Sequence, residues 1–153
     1  MDNNLSGEFF GASPAPWARP VLKWIALGDG KLAWGGKLKD ELSDMRRAAE
    51  LIRQWRLAGK LHTATEAEIA EELTGAWISH VRSNDHQILA LARVTGARVL
   101  CTKELATRGK LDVDFRDRRI LADPRGKIYK SADHSHLLKH CKSCRARLRR
   151  PRV

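Results

Sequence analysis

An α/β fold, with a central parallel sheet and helices on both faces, is the architecture this sequence predicts, and three observations carry the prediction. Amphipathic helical segments alternate with short apolar runs at Leu32-Ala33-Trp34, Leu61 to Thr63 and Ala97 to Thr102. The last run follows a helix and a glycine, the return half of a βαβ crossover, which brings strands together in parallel. At 153 residues the chain has the length of one domain, enough to bury a sheet-centred core.

Taken in order, Met1 to Ala15 is rich in small and turn-forming residues, and Ser13-Pro14-Ala15-Pro16 marks a helix start, since proline is accepted in a first turn. A helix from Pro16 to Leu27 follows, ended by Gly28-Asp29-Gly30, and Leu32-Ala33-Trp34 reads as a brief buried strand. Beyond Gly35-Gly36 the apolar positions Leu38, Leu42, Met45, Ala49, Ile52 and Trp55 recur at helical spacing, predicting one long helix from Leu38 to Leu57 stopped by Gly59. After a short strand at Leu61 to Thr63, Thr65 with Glu66 and Glu68 opens a helix to Leu73, as carboxylates favour a helix N-terminus. Ser83 reads as the N-cap of a helix from Asn84 to Thr95, closed by Gly96 before the strand Ala97 to Thr102. Asp123-Pro124-Arg125-Gly126 is a turn, Lys127 to Tyr129 an edge strand and Asp133 to His140 a short helix. Residues 1–130 therefore read as the domain, and 131–153 as a short helix with a basic tail. Trp17, Trp24, Trp34, Trp55 and Trp77 mostly occupy apolar periodic positions and read as core, not as base-stacking platforms.

Lys and Arg number 29 against 18 Asp and Glu, a net charge of +11, so the surface carries a positive field that favours a polyanion, RNA ahead of DNA. Part of that excess lies in the tail from Lys139 to Arg152. No stretch approaches the roughly 20 apolar residues that span a bilayer. The amino terminus lacks the order of a secretory signal, and Cys101, Cys141 and Cys144 form no disulfide framework; the expectation is a cytoplasmic protein without membrane contact. His134, His136, His140, Cys141 and Cys144 contain half of a zinc finger's ligand pattern, without standard histidine spacing, and read as a solvated tail.

Among the acids, Asp85 shares a helical face with Ile88, Leu89 and Ala92 and so is aimed inward, unless it serves as a helix-start acid offsetting the macrodipole. Glu41 lies at the margin of the core face of its helix while Asp40 points away; the alternative for Glu41 is a surface ion pair with Lys37 or Arg47. Glu104 follows a strand end, where ligands gather in open α/β sheets, and Asp112 and Asp114 come soon after. Carboxylates that converge repel one another, and a hard cation such as Mg²⁺ or Mn²⁺ relieves the repulsion while binding phosphate oxygens and water. Arg82, Lys103, Arg108 and Lys110 are candidates for contacts to a nucleic-acid backbone, with solvated surface charge as the competing reading.

The run Ser83-Asn84-Asp85 to Ala92, then Gly96 to Thr102-Lys103-Glu104-Leu105 and Asp114-Phe115, resembles the second half of a PIN domain. That family shows an Asp opening an apolar helix, a glycine, a strand and Thr-x-Asp. Upstream, Asp40-Glu41-Leu42 is similar to the family's acidic Glu-Leu helix, and Asp2-Asn3-Asn4-Leu5 resembles the Asp-x-Asn that closes its first strand. The resemblance runs from Asp2 to Tyr129 and rests on order and spacing. It implies a PIN-like three-layer fold, a Mg²⁺ or Mn²⁺ site on Asp2, Glu41, Asp85 and Glu104 as catalytic acids with Asp114 assisting, and RNA phosphodiester hydrolysis. It also implies the toxin of a toxin-antitoxin pair, with an antitoxin protein and a homodimer as expected partners. Two departures stand out. Only Met1 precedes Asp2 where the family has an apolar central strand, and Glu104 stands where Asp is usual. These departures sustain the alternative of a catalytically degenerate PIN-like nucleic-acid-binding protein; a DNA-associated factor using the basic tail is a third expectation.

Overall fold

In the computed structural model of the chain, residues 6–101, 110–122, 125–134 and 136–139 are described. The apolar runs become short strands: β1 Leu32–Trp34, β2 Leu61–Thr63, β3 Val99–Cys101 and β4 Lys127–Tyr129. β1 pairs in parallel with β2, Leu32 opposite Leu61, and β3 in parallel with β4, Val99 opposite Lys127. The protein is therefore mixed α/β with parallel pairing, as the crossover pattern predicts. The four described strands nevertheless form two separate pairs and not the single central sheet expected.

Around them lie α1 Ser6–Phe10, α2 Arg19–Leu27, α3 Gly36–Ser43, α4 Arg46–Leu57, α5 Glu66–Glu72, α6 His86–Thr95, α7 Leu111–Arg116 and α8 His136–Lys139. α2 starts three residues later than the prolines suggest. The amide of Ala18 donates to the carbonyl of Ala15 at 2.9 Å, closing a turn first, and Pro20 then occupies the first turn of the helix. The long helix predicted from Leu38 to Leu57 is two helices. Met45 is extended (φ −93°, ψ 113°), and the Ser43 hydroxyl donates to the Lys39 carbonyl at 2.6 Å in the last turn of α3. The break shifts the helical phase, so α4 buries Ala48 with Ile52 and Trp55, while Ala49 is exposed.

α5 begins as its sequence dictates. The amide of Glu68 donates to Thr65 Oγ1 and the amide of Thr65 to Glu68 Oε1, each at 3.1 Å, a reciprocal capping box. α6 ends at Gly96, whose left-handed φ of 77° is what a glycine cap provides. Its four consecutive residues Leu89 to Ala92 are all buried, so packing encloses α6 on every side near its middle. Arg93 fastens that helix outward: it bonds the Glu72 carboxylate and the Ile120 carbonyl, and its guanidinium lies 5.0 Å from the centre of the Trp77 ring.

The tryptophan expectation holds for Trp17, Trp34, Trp55 and Trp77, which are buried, and Trp24 is half-buried. Tyr129 on β4 donates its hydroxyl to the Trp17 carbonyl at 2.6 Å and stacks on the Trp17 ring, with centroids 6.0 Å apart. No helix among the described residues is long and apolar enough to cross a membrane.

Candidate acidic site and nucleic-acid interface

α3 packs on α6, and a hydrogen bond marks the junction: the amide of Lys37 donates to Gln87 Oε1 at 3.1 Å. The sharp entry to α3 needs glycine. Gly35 has φ 153°, and a Cβ there would lie 2.5 Å from the Ala64 carbonyl oxygen. Glu41 is one turn along α3 from Lys37, and Asp85 is two residues before Gln87, so both acids belong to the helix pair that this junction ties together.

Glu41 is half-buried, its side chain 17% exposed, and forms one long ion pair with Lys37 Nζ at 3.8 Å. The surface-pair alternative thus holds for Lys37, while the neighbouring Asp40 is exposed as its helical position requires. Asp85 is the N-cap residue of α6 and not part of the helix, and Ser83 is not the cap: its Oγ instead accepts from the Asp85 amide at 3.3 Å, a local turn. The Asp85 carboxylate makes no capping bond to the helix and is half-buried. Both acids therefore keep oxygen atoms available for a further ligand.

The tightest organisation belongs to Asp114, which is 1% exposed. Its carboxylate accepts from the Arg82 amide with both oxygens at 3.1 Å and from the Ser83 amide at 2.8 Å. Those amides cannot pair within a strand or helix at this bend, so the carboxylate takes the place of secondary structure. The backbone amide of Asp114 in turn donates to the Lys110 carbonyl at 3.0 Å. One residue thus joins the Arg82–Asp85 loop to the start of α7, and brings together the two described residues of the basic set, Arg82 and Lys110, both exposed. Lys110 holds a left-handed φ of 54°, uncommon for a lysine, at that corner.

Arg82 has an acidic neighbour in Asp117. Hydrogen bonds from Arg119, then the charges of Arg119 and Arg82, hold the Asp117 carboxyl down to about 2. The bidentate bonds run from Arg119 Nε and Nη2 at 3.2 and 2.9 Å. Asp112, given no role of its own by the sequence, is also buried, with Arg116 Nη2 at 3.6 Å and Lys130 Nζ at 3.9 Å. A signal for the burial of Asp114 was present: it follows Leu111 by three residues and so shares that residue's buried face.

Asp2, Lys103, Glu104 and Arg108 lie outside the described residues, as do His140, Cys141 and Cys144 of the tail. Among the described residues, no three histidine, cysteine, aspartate or glutamate side chains come together as a group that could hold a metal ion. Comparison of the chain with family models, with curated proteins and with solved structures returns no match.

Proposed function

We propose that this chain is a Mg²⁺- or Mn²⁺-dependent ribonuclease of PIN type, with Glu41 and Asp85 as the described half of an acid set that Asp2 and Glu104 complete. The observation that carries the reading is the junction of α3 with α6, which carries two half-buried carboxylates with spare oxygens, Glu41 on α3 and Asp85 at the N-cap of α6. Hard oxygen donors of this kind are what either cation takes. The bound ion would supply Lewis acidity and an acidified water. Glu41 and Asp85 contribute negative charge and orientation. Arg82 and Lys110, fixed by the Asp114 clasp, present cations for the phosphates that flank the scissile bond. Asp114 acts through the loop it holds, as a positioning residue. The substrate-facing partner is RNA, and an antitoxin protein is the regulatory partner of such an enzyme.

A second reading, an RNA-binding protein without catalysis, rests on the net charge of +11 and the exposed Arg82 and Lys110, which can hold phosphates with or without a metal. Incubating the purified chain with RNA and Mn²⁺, beside Asp85→Asn, separates the two. Cleavage by the native chain that drops at least about 100-fold in the variant, the equivalent of about 2.7 kcal/mol of metal-borne stabilisation, supports the enzyme. Retained RNA binding with no cleavage by either protein selects the second reading.

A further inference from the structure

A cleft that opens to solvent lies between the two strand pairs. Lys31, Leu32 and Ala33 form one wall and the five consecutive residues 97–101 the other. Side chains of a strand alternate between its faces, so a cavity above one face would touch every second residue. Contact with consecutive residues puts this cleft along the strand edges, in the plane of the sheets. Apolar residues such as Phe9, Trp55, Ile88 and Leu91 complete the described lining, and none of the described candidate acids, Glu41, Asp85 and Asp114, takes part.

The backbone bonding agrees. The amide of Leu32 donates to the Lys60 carbonyl, and the Trp34 carbonyl accepts from the Ala64 amide, so residues 32 and 34 turn toward β2. In a parallel ladder the intervening residue turns the other way, which aims the peptide groups of Ala33 at the cleft. The Arg98 carbonyl likewise accepts from the Lys127 amide, and Val99 turns away from β4. No described strand pairs with either free edge.

We propose that the cleft receives an extended apolar segment of a partner polypeptide, which pairs with β1 on one side and β3 on the other and joins the two pairs into one five-stranded sheet. A strand satisfies both walls at once, because its own N–H and C=O groups point sideways while its side chains enter the apolar roof and floor. A compact apolar molecule would fill space and leave the Ala33 and Val99 peptide groups dry and unpaired, at a cost that opposes binding. The parts of this chain outside the described residues are poor occupants by composition. Met1 to Leu5 carries Asp2, Asn3 and Asn4, residues 102–109 carry Lys103, Glu104 and Arg108, and the final residues are rich in arginine. Lys31 contributes a cation to the lining, and an acid at the end of the segment that reaches it would complement that charge. This inference is independent of the nuclease reading.

The test keeps the full native chain and varies only the peptide. A short peptide of alternating Val, Ile and Leu with one terminal Asp and a solubilising polar tail is titrated while amide hydrogen exchange is followed residue by residue. The expected result is at least tenfold slower exchange of the Ala33 and Val99 amides together, with saturation, and no effect from the same peptide carrying a central proline. The proposal is overturned if neither amide is protected at any peptide concentration, or if the proline peptide protects them equally. It is likewise overturned if an apolar dye alone, or raised protein concentration without peptide, produces the same protection, which would assign the cleft to a small molecule or to a second copy.

Discussion

At the scale of single residues, Asp114 is the most consequential side chain described. Its buried carboxylate satisfies two backbone amides at the bend, so Asp114→Asn, which turns an amide N–H₂ toward those donors, is expected to cost about 2 kcal/mol or more. For a chain of this size that is a fall in Tm of roughly 4 to 8 °C, read by calorimetry. Asp117 gives a pH signature. Its carboxyl is held at about 2 in the folded chain against an ordinary 3.8, so the stability it brings is complete above the unfolded value and disappears as pH falls from about 4 through 2. Urea unfolding from pH 7 down to pH 2 should therefore show Asp117→Asn weaker than the native chain at the upper end, with the gap closing at the lower; a constant gap would contradict the pairing. Cys101 is raised to about 11 by burial. At pH 8 iodoacetamide should alkylate it about 100-fold more slowly than a free thiol, a rate measurable by mass spectrometry of the fragment containing it.

At the scale of elements, close approach decides which glycines matter. A Cβ on Gly126 would sit 1.9 Å from the Phe115 carbonyl oxygen, where α7 meets the segment entering β4. Gly126→Ala is expected to destabilise by about 3 kcal/mol or more, since backbone, not a flexible side chain, must move. Gly59→Ala is the contrast: its φ is 72° but nothing lies within 4 Å of the added carbon, so only the left-handed conformation is penalised, by about 1 kcal/mol. Chemical denaturation of both variants tests the difference. The legible elements are those whose signals are local: the Thr65 capping box, the Gly96 stop and the three-residue strands all follow from neighbouring residues. What was not legible depends on contacts between distant segments. The break at Asp44 and Met45 is invisible to periodicity, because the apolar spacing of α3 and α4 reads as one continuous stripe. The loop clasp by Asp114 links positions about thirty apart in sequence, and the separation of the sheet into two pairs depends on what lies between them. Of the site, sequence placed Glu41 at a half-buried margin and Asp85 at a helix start. It could not say that Asp114 is committed to the amides of Arg82 and Ser83.

At the scale of the whole molecule, the net charge of +11 is a statement about long-range attraction, and salt should expose it. Binding to single-stranded RNA is expected to weaken steeply with added NaCl. Replacing Arg82 and Lys110 together by alanine should lower the slope of log K against log [salt] by about 0.7 for each phosphate that these two cations neutralise. Fluorescence anisotropy over a salt series measures this, and an unchanged slope would remove the two residues from the interface. The bond between the Tyr129 hydroxyl and the Trp17 carbonyl spans 112 positions, nearly the length of the described chain. During synthesis the earlier partner leaves the ribosome long before the later one exists. Ribosome-stalled intermediates that end ahead of β4 must wait with the Trp17 turn unlatched, so the nascent polypeptide stays protease-sensitive near its beginning until the closing tyrosine emerges.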